Sequence, residues 1–182
     1  MNVDRFTNRS REAIVEAQTL ATQLSAAEIY PEHLLCALLA QPDGVVPALL
    51  RKAGRTPDAL LRGARALLAK KPRVQGQNQL HESAEFSQAV KAADEHARRM
   101  NDEYVSCEHL FLGLLAVSTI RTLLEGEGLN ESRVMQALQE VRGQTRVTDK
   151  DPEGQYDALT KYTRNLTEMA DRGKLDPVIG RD

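Results

Sequence analysis

The segment Glu32 to Leu39, reading Glu-His-Leu-Leu-Cys-Ala-Leu-Leu, returns as Glu108 to Leu115, Glu-His-Leu-Phe-Leu-Gly-Leu-Leu, 76 positions later. A chain that writes one unit twice is expected to fold as two copies of one supersecondary unit, each covering the apolar face that the other cannot bury alone. The same offset aligns Ala13, Ile14, Ala17, Ala21 and Leu24 with Ala89, Val90, Ala93, Ala97 and Met100, all apolar. Their i, i+3/i+4 spacing sets one stripe along a helix, so each copy opens with a helix buried on one face. Thr7 and Ser83 stand just before these stripes, where a hydroxyl can accept from free backbone N–H groups.

Further along, Leu49-Leu50 and Gly54 match Leu123-Leu124 and Gly128 at an offset of 74, so the second copy has lost two loop residues. Gly54 and Gly128 read as left-handed residues closing a helix, each followed by a new start at Thr56-Pro57-Asp58 or Asn130-Glu131-Ser132. The expected fold is all-α, an eight-helix pseudo-twofold bundle of two four-helix repeats. Helices are placed near residues 7–23, 31–40, 45–53 and 57–70, then 83–100, 107–116, 119–126 and 131–142. Polar, turn-rich residues 72–79 connect the copies, and residues 143–154 form a second such stretch without apolar periodicity. The expected organisation is a domain over residues 1–148 (repeats at about 1–75 and 80–148), a linker at 149–154, and a segment at 155–182. In that last segment Tyr156, Leu159, Tyr162, Leu166 and Met169 form another helical stripe. A lone helix cannot bury such a face, so it reads as the first element of a further domain that the chain cuts short.

Composition excludes several functions. The net charge is −2 and the pI about 6.1. The richest basic runs, Ala69 to Arg73 and Arg98-Arg99, are short, which argues against nucleic acid as the main ligand. The N-terminus carries no apolar leader core, no apolar run approaches the ~20 residues of a membrane span, and Cys36 and Cys107 lie far apart. A cytoplasmic protein with reduced thiols and no membrane contact is expected. His33 and Cys36, at i, i+3, form a possible metal-ligand pair, whereas Cys107 and His109, at i, i+2, face apart; no four-ligand set has metal-like spacing, and no bound metal is expected. His81 and His96 lack a nucleophile at motif spacing, and no G-x-x-x-x-G-K-[ST] phosphate loop occurs, so the chain is not expected to be an enzyme by itself.

The opening Asp4-Arg5-Phe6-Thr7 and the two Glu-His-Leu segments resemble the double Clp repeat of the Clp AAA+ proteins. Residues 161–168 and the run Gly173 to Asp182, Gly-Lys-Leu-Asp-Pro-Val-Ile-Gly-Arg-Asp, are similar to ClpB-type chaperones in particular. The resemblance implies the substrate-contact module of an ATP-dependent disaggregase. Its hexameric ring would thread unfolded or aggregated polypeptides together with the DnaK system, using ATP and magnesium held elsewhere in the full-length protein. The isolated chain would be a monomer without cofactor, and Val178 and Ile179 would border the adenine only in the full-length protein. The resemblance also places substrate contacts at Thr7, Val90, Asp102, Tyr104, Glu108 and Leu110. Each has a structural reading beside the functional one: Thr7 as helix cap, Val90 as core partner of Ile14, Asp102 as the start of a turn, Glu108 as a charge favoured at a helix N-terminus. His109 departs from the family, in which an apolar residue is expected after that glutamate. The competing reading is the adaptor-docking N-domain of a ClpA- or ClpC-type protease unfoldase.

Overall fold

The computed structural model describes residues 3–76, 79–143 and 145–152. After a short 3-10 turn at Val3–Arg5 come α1 (Asn8–Gln23), α2 (Pro31–Ala40), α3 (Val45–Lys52), α4 (Pro57–Ala69), α5 (Ala84–Arg99), α6 (Cys107–Leu114), α7 (Ser118–Gly126) and α8 (Glu131–Arg142). The two four-helix copies are therefore present, with boundaries within two residues of those read from the sequence. The stripe at residues 156–169 lies outside the described residues, as do Val178 and Ile179.

Local chemistry sets the boundaries. Thr7 and Ser83 cap α1 and α5, their hydroxyls accepting from Ser10 and Phe86 backbone N–H groups. Gly54 and Gly128 follow α3 and α7 at φ +77° and +76°, where a β-carbon is disfavoured. In α1 the buried positions include Ala13, Ile14, Ala17 and Ala21; in α5 they include Ala89, Ala93 and Ala97. The alanines among them let α2 and α6 lie close, and α2 and α6 are buried along nearly their whole length, forming the centre of the core.

The halves join reciprocally. Phe6, before α1, bridges Val105, before α6; Ile29, before α2, bridges Glu82, before α5. These are the same contact under the 76-residue offset, Phe6 matching Glu82 and Ile29 matching Val105. Likewise α3 packs on α8 and α4 on α7. This is the self-complementary pattern of a twofold interface, built within one chain.

Two connections are held more firmly than their polar composition suggests. Val74 donates its N–H to the Ser25 carbonyl at 2.8 Å. After α8, Val147 is fully buried; it accepts from the Glu103 N–H at 2.8 Å, and the Lys150 carbonyl accepts from the Asn8 N–H at 2.8 Å. The turn-rich stretch that follows α8 is thus bonded to the domain at Val147 and Lys150. No described helix is long and apolar enough to cross a membrane; two bent helix pairs, α2 with α3 and α6 with α7, pass by length and composition only, and they carry the core.

Candidate functional site

A groove of about 360 Å³ opens where the start of the chain meets α5. Its apolar lining is the half-buried Val90 over Phe6 and Val105, which are themselves buried, and its polar lining includes Glu82, Lys91, Asp94 and Arg98. One wall is held by the inter-half bridge, because the Thr7 N–H donates to the Val105 carbonyl at 3.0 Å and the Ser10 hydroxyl donates to the same oxygen at 2.8 Å. Arg5 ties down the rim: its guanidinium donates to Asp94 Oδ1 at 2.8 Å and to the Glu103 carbonyl at 2.6 Å, while Arg98 donates to Asp94 Oδ2 at 2.9 Å. Burial works against the charged form of Asp94, but the two guanidinium hydrogen bonds outweigh it and hold the carboxyl below its usual range. The result is an apolar floor with fixed charges around it. Such a surface can hold apolar side chains of an extended polypeptide without selecting a sequence, since apolar burial is non-directional.

Of the six residues named from the sequence, Val90 lines this groove and is half-buried. Tyr104 is half-buried beside Val105. Thr7, Asp102, Glu108 and Leu110 lie beneath the surface: Thr7 is the α1 cap, Leu110 is core, and Asp102 and Glu108 belong to a buried charge cluster. His109 is also fully buried, so it takes no part in the groove surface.

That cluster organises the second half. The Ser106 N–H donates to His109 Nδ1 at 2.9 Å, which makes Nδ1 the acceptor and leaves Nε2–H to donate to Asp102 Oδ2 at 2.7 Å. Arg142 donates to Asp102 Oδ1 at 2.6 Å, and the Val147 N–H donates to the same oxygen at 2.9 Å. Burial disfavours the Asp102 carboxylate, yet the His109, Arg142 and Val147 hydrogen bonds prevail and hold it well below the usual carboxylate range. Glu108 is fully buried with neither carboxylate oxygen hydrogen-bonded; the Arg142 guanidinium, 3.7 Å away, is its ion-pair partner. The Ser106 hydroxyl lies 2.9 Å from His109 Nδ1, so serine, histidine and aspartate stand in one line. All three side chains are sealed at a helix start, and no substrate carbonyl can reach the hydroxyl.

Sequence reading missed Arg142, although a signal existed. The offset of 74 puts Arg142 on Leu68, a buried position, and the offset of 76 puts Asp102 on Ala26, also buried. Opposite charges at two core positions that are apolar in the other copy mark an internal ion pair.

In the first half the matching histidine is His33, whose Nδ1 accepts the Tyr30 N–H at 2.9 Å, with no aspartate to face its Nε2. Burial pushes its pKa down to about 4, and the positive charge of Lys71 adds to the shift. A base lowered on folding is neutral in the fold. Its contribution to stability is present above its ordinary value of 6.5 and is lost as pH falls from there towards about 4. This window should cost about 2–3 kcal/mol. The substitution His33→Gln keeps an acceptor for the Tyr30 N–H, as glutamine does at this position of a capping box, and removes the titration. Urea unfolding at pH 7 and pH 4.5 should show a smaller loss for H33Q than for the wild type; equal losses would assign the effect elsewhere.

The N-termini of α1, α5 and α8 are capped by the chain's own side chains, and no glycine-rich loop with a following lysine is present.

Two reciprocal four-helix halves with a groove at their junction define the architecture. Residues 5–127 match the family described as the Clp repeat (R) N-terminal domain, and the chain belongs to that family. Its whole length aligns with the chaperone protein ClpB of Nitratidesulfovibrio vulgaris, at 41% identity over 189 residues, covering 100% of this chain and 22% of that protein. ClpB 1 of Synechococcus elongatus is 42% identical over 183 residues, covering 100% and 21%. The chain therefore spans about a fifth of the length of these relatives and corresponds to their N-terminal region. Among solved structures, the Hsp104 N-terminal domain from Candida albicans has a TM-score of 0.73 at 23% identity, covering 81% of this chain and 98% of that one. A complex of the ClpV N-domain with VipB peptide has a TM-score of 0.62 at 19% identity, covering 75% and 86%. At these identities the structural matches establish the fold.

Proposed function

We propose that the chain is the client-contact domain of a ClpB-type disaggregase, engaging unfolded or aggregated polypeptides at the groove between Phe6, Val90 and Val105. The observation that carries this reading is the pairing of an apolar floor with a rim of fixed charge at the junction of the two halves. The peptide complex of a ClpV N-domain, which shares the fold, supports it. In this reading Val90 and Tyr104 touch the client, while Thr7, Asp102, Glu108 and Leu110 shape the groove from beneath. Thr7 anchors the Val105 wall, and the Asp102 and Glu108 cluster fixes the start of α6. The cytoplasmic full-length protein would form a homohexamer, hold ATP and magnesium in domains beyond this one, with Val178 and Ile179 bordering the adenine, and pass clients on with the DnaK system. One such groove buries little surface, so single contacts are weak. Six copies in a ring raise the overall affinity by roughly 10²- to 10⁴-fold.

The test is an NMR titration of the full chain with an unfolded, casein-like polypeptide. Shifts should cluster at Phe6, Val90, Val105 and Arg98, and Val90→Glu should weaken binding by roughly tenfold through a charge placed on the apolar floor. Melting should first establish that the variant folds. Shifts elsewhere, or none at millimolar client, would overturn the reading in favour of adaptor docking.

A further inference from the structure

A second groove, of about 320 Å³, lies in the first half between α1, α2 and α4. Leu20, Leu24, Leu61 and Leu68 line it. Arg65 and Arg73, both exposed, stand at its mouth with Glu16. Neither guanidinium has an ion-pair partner among the described residues, a state they share with most arginines outside Arg5, Arg98 and Arg142. These two arginines belong to a larger asymmetry. Residues 51–73 hold eight Lys and Arg against the single acid Asp58, a surplus of seven in a chain whose total is −2. Arg51, Lys52, Arg62 and Lys70 are exposed with them. Charge that looks interspersed over the whole chain is therefore concentrated on this stretch.

The second half does not repeat the arrangement. Under the repeat offsets, Gln139 stands for Arg65, Leu112 for Cys36 and Arg142 for Leu68, and Arg142 turns inward to Asp102. The internal symmetry of the fold therefore does not require the groove. Two free guanidiniums beside an apolar trough match a partner with bulky apolar side chains next to carboxylates, because guanidinium and carboxylate pair in a fixed, bidentate geometry. A nucleic acid fits less well: no aromatic side chain lines the groove to stack a base, and phosphates leave an apolar trough unfilled. The volume is at the low end for a whole small ligand and suits a short run of side chains from a longer chain.

We infer that the groove between α1, α2 and α4 is a second docking site, for an acidic, apolar polypeptide segment held by Arg65 and Arg73. It is separate from the groove at Val90 and does not depend on the client reading of that site. The test uses the full chain and a fluorescein-labelled peptide, Asp-Glu-Leu-Phe-Asp-Leu-Glu, followed by anisotropy at low and physiological salt. A control peptide, Lys-Lys-Leu-Phe-Lys-Leu-Lys, carries the same apolar residues. The acidic peptide should bind roughly tenfold more tightly than the basic one and weaken as salt rises. The double substitution Arg65→Glu with Arg73→Glu, at exposed positions that leave the melting temperature unchanged, should lower its affinity by roughly tenfold or more, while Val90→Glu leaves it intact. No binding, equal binding of both peptides, loss in V90E instead of R65E/R73E, or tighter binding of a single-stranded oligonucleotide at the same arginines would each overturn the inference.

Discussion

Replacing Arg142 by methionine should destabilise the domain by about 3–5 kcal/mol, the largest loss expected from a single side chain here. Arg142 is 7% exposed and is the only cation within salt-bridge distance of both Asp102 and Glu108 among the described residues. Methionine fills much of the space but leaves two carboxylates facing low-dielectric surroundings. Asp102 keeps the His109 and Val147 donors, whereas Glu108 keeps no hydrogen bond at all. The expected sequence of effects follows from that difference. Glu108→Gln alone should cost little, since it removes a charge that forms no hydrogen bond and leaves Arg142 paired with Asp102. The double variant R142M/E108Q should recover part of the R142M loss, giving a coupling energy of roughly 1–3 kcal/mol in a double-mutant cycle by urea unfolding. Strictly additive losses would show that Glu108 and Arg142 do not sense each other.

The pH dependence should change as well. In the wild type, the stability that Asp102 contributes is fully present above its unfolded value near 3.9 and is lost as pH falls through its lower folded value. Without Arg142 the carboxylate loses one of the bonds that lowers its pKa, so the variant, already less stable at neutral pH, should lose less stability than the wild type as pH falls through this range.

The fold was legible in the sequence because periodicity and repetition speak directly about buried faces. Ala13, Ile14, Ala17 and Ala21 with their counterparts set the helix stripes, and Thr7, Ser83, Gly54 and Gly128 set the ends. The arrangement around Val147 was not legible, because its anchoring depends on one buried valine and on the Asp102 oxygen that its N–H meets. The candidate site was legible only in part. Val90 sits on the same stripe as core residues, and its half-exposure arises from the approach of Phe6 and Val105, which no local pattern encodes. Thr7, Asp102, Glu108 and Leu110 were identifiable as residues of consequence, but burial depends on what packs over them, and one turn of sequence does not carry that. Charge segregation over residues 51–73 was visible in the letters, yet its meaning needed the apolar groove beside it.

Helix propensity and close packing give opposite signs at Gly113, and packing should win. Glycine inside a helix costs about 1 kcal/mol relative to alanine, so propensity alone predicts that Gly113→Ala stabilises α6. The structure predicts the reverse. A β-carbon at Gly113 would meet the Ala89 carbonyl oxygen and lie 2.7 Å from the Ala93 backbone nitrogen, both on α5. Backbone atoms cannot rotate away as a side-chain tip can, so the two helices must separate, and the core between them opens. A net loss of about 3 kcal/mol or more is expected, lowering Tm by roughly 5–10 °C for a chain of this size. The first copy carries Ala37 at the matching place, so its helix pair accommodates the methyl group that the second cannot. Gly126, at the end of α7, supplies the control: nothing lies within 4 Å of its added β-carbon, and Gly126→Ala should hold or raise stability by up to about 1 kcal/mol. Thermal unfolding of the two variants side by side decides the matter. Stabilisation in both would mean that α5 and α6 are not in backbone contact at Gly113, and the tight packing described for the second repeat would then be wrong.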